Sequence, residues 1–143
     1  MFTNPGAADI ARLLRRVHTI AVVGLSVKPQ RPSYSVSSAM QGYGYRIIPV
    51  NPAADTILGE PVAHDLDAAA ALLAPGETLD LVNVFRQSAH VAAIVEDCIR
   101  LKVPALWLQD GVIDEQAAQR AESAGVFTVM DRCVFRDRAQ LSL

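Results

Sequence analysis

Short unbroken apolar runs, spaced by stretches of helical periodicity, constrain this chain most. The first, TIAVVG from Thr19 to Gly24, is β-branched and lacks polar alternation, the pattern of a strand buried on both faces. YRIIPV (45–50), DLVNVF (80–85), PALWLQ (104–109) and VFTVM (126–130) read as further strands. Pro49 fits a strand terminus better than a strand middle.

Helical patterns fill the intervals. Ile10, Leu13, Leu14 and Val17 share helical spacing ahead of the first strand, with Asn4-Pro5 as the predicted helix start. SYSVSSAMQGYG reads as a short helix capped by Ser33 or Ser35, with Val36 and Met40 inward, ended by Gly42 or Gly44. NPAADTILGEPV reads as a loop with a short extended piece, and LDAAAALLA as a helix stopped by Pro75-Gly76. Ser88 is the predicted cap of the helix holding Val91, Ile94, Val95, Cys98 and Leu101. Asp114 caps the next, and the segment from Asp131 onward reads as a tail.

Strands alternating with helices build βαβ units, and right-handed crossovers wind them in both directions. The expected fold class is α/β: a Rossmann-like, doubly wound, mainly parallel sheet of about five strands within three α/β/α layers. The 143 residues carry 51% apolar side chains and contain no repeat or linker, so one domain spanning 1–143 is expected.

Several functions lose support at this level. A formal net charge of -2 supplies no general basic face for nucleic acid. No apolar stretch is long enough to cross a bilayer, and the N-terminus lacks the apolar core of a signal peptide. Cys98 and Cys133 are far apart and form no CxxC, which points to reduced thiols and a cytoplasmic location. His18, His64 and His90 are scattered and read as surface or capping residues. Metal-ligand spacing, a GxSxG elbow and a Walker A loop are all missing.

In doubly wound sheets ligands bind beyond the carboxyl ends of the strands. Here those ends read GLSVKPQRPS, VNP, VFRQS, LQDG and MDRC, more polar than the opposite connections. Gly24 can admit a ligand close to the backbone, and the following helix start suits phosphate. Lys28 and Arg31 can add charge-assisted contacts. Val50-Asn51-Pro52 lacks the carboxylate that would hold an NAD ribose, which favours a ligand with an extra ribose phosphate, NADP or coenzyme A. Arg86, after Phe85, can meet a phosphate or an acidic neighbour such as Asp110. Trp107 reads as core, whereas Gln109 and Gly111 stand at the strand end. Cys133 beside Arg132 raises a reactive thiol against a structural or merely exposed one, and with no histidine fixed beside it the residues favour the latter. Glu96-Asp97 reads as a solvated helix face.

Taken in order, VVGLSVKPQRPSYSV, GYGYRIIPVNP, LGEPV, DLVNVFRQSAHV, ALWLQDGV and AESAGVFTVMDRC resemble the small bacterial CoA-binding domain proteins. These are stand-alone relatives of the CoA-binding domain in the succinyl-CoA synthetase α subunit. The resemblance runs from about Asp9 to Cys133 and implies a Rossmann-like fold with CoA at the strand carboxyl ends. It implies ligand contacts from Gly24, Ser26, Lys28, Arg31, Pro32 and Ser33, from Val50, Asn51 and Pro52, and from Phe85 and Arg86. The WLQ-G and DRC signatures correspond to Trp107, Gln109, Gly111, Asp131, Arg132 and Cys133. Two departures stand out: Ala89 where many relatives are acidic, and Asp110 where they often have an apolar or small residue.

The chain leaves no room for the further domains of a CoA ligase. The expectation is a stand-alone protein that binds CoA or acyl-CoA, without catalysis of its own and without nucleic-acid or membrane partners. Apolar faces of the first or last helix could support a homodimer. Two alternatives remain at this level: an NADP-binding oxidoreductase-like protein, and a redox protein forming a Cys133–CoA mixed disulfide.

Overall fold

The apolar runs pair side by side in a computed structural model that describes residues 1–141. Strands β1 (Thr19–Val23), β2 (Arg46–Val50), β5 (Leu81–Val84), β6 (Ala105–Leu108) and β7 (Phe127–Val129) form one parallel sheet in the order β2-β1-β5-β6-β7. The predicted α/β Rossmann-like class is therefore the observed one. Ala21 sits between Ile48 and Val82 in register, so β1 is flanked on both sides. The chain winds one way from β1 to β2, then the other way from β5 to β7. That reversal sets a crevice between the carboxyl ends of β1 and β5.

Helices cover both faces. Ala21, Val23, Val82 and Val84 pack with residues of α3 (Leu66–Ala71), α4 (Val91–Arg100) and α5 (Glu115–Ser123). Ile20, Val22, Leu81 and Trp107 pack with α1 (Ala7–Arg16), α2 (Pro32–Gly42) and α6 (Val134–Ala139). The extended piece predicted after Pro52 is a small antiparallel hairpin, β3 (Thr56–Ile57) with β4 (Glu60–Pro61). Pro49 lies on the outer strand β2, next to its last residue, where a missing N–H is tolerated. Among the described residues no helix is long and apolar enough to cross a membrane.

Two local expectations are corrected. The first helix starts after Gly6, not at Asn4-Pro5. Asn4 instead spends its amide on Met130: Nδ2 donates to the carbonyl at 2.9 Å, and Oδ1 accepts from the N–H at 2.8 Å. The segment after Cys133 is not a simple tail, because it folds into α6. Its anchor is Arg138, buried over the Tyr43 ring at 4.2 Å and donating from Nε to the Tyr45 hydroxyl at 3.0 Å. Burial raises the Tyr45 pKa, and Arg138 partly opposes that shift.

At the amino ends of the strands polar groups close on each other. Asp80 Oδ2 accepts from the N–H groups of His18 and Thr19, each at 2.9 Å, and its Oδ1 accepts from Thr78. Glu77 accepts from Thr19 Oγ1, from the Ala74 N–H and from Arg46. Arg46, followed by the Ala74 amide, holds the Glu77 carboxyl down at about 2.

Candidate ligand-binding cleft

The carboxyl ends of β1, β5 and β6 open into a cleft of about 670 Å3, within the size range of ligand pockets. Its floor is set by Gly24, which ends β1 with φ +87°. A Cβ there would lie 2.6 Å from the Phe85 carbonyl oxygen and 2.9 Å from Arg86 Cδ. The sequence assigned this glycine to close approach by a ligand. The close approach that the fold requires is between the β1 and β5 loops, so Gly24 draws the two halves of the crevice together.

The β1 loop then folds back onto α2. Ser33 is not the helix cap predicted from sequence; Arg31 takes that place, with Pro32 at the start of the helix. The Ser33 hydroxyl instead accepts from the Ser26 N–H at 3.0 Å, and Ser26 Oγ accepts from the Lys28 N–H at 3.1 Å. These bonds hold the loop against the positive end of an eleven-residue helix. Lys28 and Arg31 lie on the cleft wall, and neither forms an ion pair with a carboxylate among the described residues.

The end of β2 stands apart. Val50, Asn51 and Pro52 do not line the cleft. Asn51 ties loops together: Nδ2 donates to the Leu25 carbonyl at 3.0 Å, and Oδ1 accepts from the Ala53 and Ala54 N–H groups. Its side chain thereby steadies the loop that carries Ser26 and Lys28.

Phe85, Arg86 and Gln87 form the β5 part of the wall. Arg86 does not meet Asp110; its guanidinium lies 3.1 Å from the His90 ring nitrogen. Asp110 pairs with Arg136 of α6 at 2.7 Å, and that contact raises the Arg136 pKa. Ser88 is likewise diverted from its predicted capping role: its hydroxyl accepts from the Ile113 N–H at 2.9 Å and links the β5 and β6 loops. Cations therefore dominate the wall, with Lys28, Arg31, Arg86 and Arg136 set against Asp110 alone.

A family model described as a CoA binding domain matches residues 18–138. The chain belongs to this CoA-binding domain family. It is 40% identical over 131 residues to the uncharacterized protein YneT of Bacillus subtilis, covering 92% of this chain and 93% of that one. A solved structure from Thermus thermophilus superposes with a TM-score of 0.86 at 27% identity, covering 96% of this chain and 100% of the other. A hypothetical protein from Pyrococcus horikoshii gives 0.84 at 28% identity, covering 99% and 98%.

Within this CoA-binding domain the DRC segment closes the far side of the cleft. Asp131, with φ +59°, accepts from the Gly111 N–H at 2.8 Å. The Arg132 carbonyl receives the Trp107 indole N–H at 2.8 Å, and its guanidinium is engaged by Asp137. Arg132 is thus occupied beside Cys133, which lines the cleft, as do Gln109 and Gly111. Sequence reasoning missed Val36, Gln87, Val112 and Arg136 as wall residues. Val36 was assigned to the core from its helical spacing, and Arg136 was hidden in the supposed tail. The run Val134, Phe135 and Arg138 carried the signal for a helix there, but it spans less than two turns.

Proposed function

We propose that this chain is a single CoA-binding domain spanning 1–143, which holds CoA or an acyl-CoA in the cleft and performs no catalysis of its own. The observation that carries the reading is the pair Lys28 and Arg31. They flank the positive end of α2 at the topological switch point with no carboxylate partner among the described residues. Cations left unpaired at such a place suit the phosphates of a nucleotide. Gly24, Ser26, Pro32, Ser33, Phe85, Arg86, Gln109 and Gly111 would form the surrounding contacts. Val50, Asn51 and Pro52, outside the cleft wall, would act on a ribose end that projects past it, where the absence of a carboxylate leaves room for a ribose phosphate.

Titration calorimetry tests this with CoA, 3′-dephospho-CoA and NADPH. CoA should bind best, and losing the 3′-phosphate should weaken binding roughly tenfold, the worth of one charge-assisted contact. Equal weak binding of CoA and dephospho-CoA would remove the phosphate argument. Preference for NADPH would transfer the site to a nicotinamide ligand.

A further inference from the structure

The far wall of the cleft is lined by Cys133, which is 7% exposed, and by Gln109, which keeps unused hydrogen-bond donors. Gln109 is 3% exposed and lines the cleft. Its Oε1 accepts from the Val134 N–H at 3.0 Å. A backbone N–H can only donate, so this bond fixes which end of the amide is oxygen. The Nε2 group has no partner among the described residues. Two unused donors on so buried a side chain are open to an acceptor that enters the cleft. Val134 follows Cys133 directly, so the same bond fixes the backbone that carries the thiol.

The charge distribution orients what would enter. Lys28 and Arg31 stand on the β1 side without carboxylates, whereas on the β6 side Arg136 is already neutralised by Asp110. Phosphates favour the first side and a neutral group the second. Lys28 and Arg31 precede α2 and Cys133 precedes α6, and these two helices pack against each other beside the one cleft that all three residues line. The pantetheine arm of CoA has about twelve bonds from its phosphate ester oxygen to sulfur, equal to about four extended residues, or about 14 Å. An arm of that length, starting from phosphates at Lys28 and Arg31, is long enough to cross the cleft to Cys133 past Gln109.

We propose, resting on the CoA reading above, that Cys133 exchanges with a disulfide of CoA and becomes a Cys133–CoA mixed disulfide, with Gln109 positioning the pantetheine arm. The Cys133 sulfur, once deprotonated, attacks one sulfur of the CoA disulfide. The Cys133–S–S–CoA bond forms as the original disulfide bond breaks. The second CoA leaves as thiolate and takes up a proton, so the sum is one protein thiol consumed and one CoA thiol released. The step needs no oxidant beyond the CoA disulfide itself. Cys98 does not compete: it is fully buried on the inner face of α4, and burial, with a smaller contribution from Asp97, pushes its thiol up to about 12.

Intact-mass spectrometry of the full chain treated with CoA disulfide tests this. One adduct, equal to CoA less two hydrogens and reversed by dithiothreitol, should form in the wild type and in Cys98→Ser, and not in Cys133→Ser. Gln109→Glu keeps an acceptor for the Val134 N–H but loses the donors. It should slow adduct formation about tenfold with CoA disulfide and leave the rate with hydroxyethyl disulfide unchanged. Gln109→Met, paired with circular dichroism to confirm folding, repeats the test without a new charge. Absence of an adduct in a protein that binds CoA by calorimetry would overturn this inference and leave the CoA reading standing. Absence of both would overturn the two together. A wild-type rate with CoA disulfide no greater than with hydroxyethyl disulfide, or transfer of an acyl group from acetyl-CoA in place of a CoA adduct, would also overturn it.

Discussion

The two ends of the parallel sheet treat charge in opposite ways. At the amino ends Asp80 and Glu77 have their oxygens filled by Thr19, Thr78, Arg46 and backbone N–H groups. At the carboxyl ends Lys28 and Arg31 face a cleft without a carboxylate between them. One end satisfies itself and contributes to stability. The other leaves cations near one another, at a small cost in repulsion, where a ligand can relieve it.

The sharpest way to break this contrast is Gly24→Ala. The new Cβ meets the Phe85 carbonyl at 2.6 Å and the backbone must hold φ +87°. Denaturant unfolding should show a loss of about 2–4 kcal/mol, because strain and overlap act together. Gly44→Ala is the control, since its φ is +102° but nothing lies within 4 Å of the added Cβ. It should lose about 1–2 kcal/mol from strain alone. Equal losses would show that the β1 and β5 loops are not held together as described.

Next in size is Arg31→Ala. It should weaken CoA binding roughly tenfold by calorimetry while changing stability by less than about 0.5 kcal/mol, because the residue is exposed and forms no ion pair. The reverse profile belongs to Glu77→Gln: unchanged CoA affinity and about 1 kcal/mol less stability at neutral pH. Glu77 has its pKa lowered from 4.5 to about 2, so its contribution is complete above 4.5 and is lost as pH falls toward 2. The gap in melting temperature between wild type and Glu77→Gln should therefore close across that window. The smallest effect belongs to Arg120→Ala. Its exposed pairing with Glu96 at 3.2 Å should leave the melting temperature within about 2 °C.

What could be read from the sequence follows the range of each interaction. β1 and β5 were legible because burial on both faces writes itself as a local apolar run. The Asp114 cap was legible because it acts within three residues, on the Ala117 N–H. Ser33 and Ser88 looked like caps on the same local grounds. Each is instead bonded to a distant loop, through Ser26 and Ile113, and no local rule reveals that partner. α6 was hidden because its anchor, Arg138 on Tyr45, joins residues 93 apart. Within the cleft the polar strand ends marked the place and most of the wall. They did not show that Arg86 and Asp110 would take separate partners, or that Gln109 would keep its amide donors free.

The bonds between Asn4 and Met130 carry a consequence for behaviour in a crowded solution. β7 is the last strand of its sheet, and an outer strand offers its backbone to any chain that can extend the ladder. Just past β7 the Asn4 amide presents one acceptor and one donor to the same residue, as a neighbouring strand would. A side chain thus stands in for a further strand and occupies the place where edge-to-edge aggregation would begin. Asn4→Ala should leave the ligand cleft intact and reopen that edge, and light scattering during mild heating would register the difference.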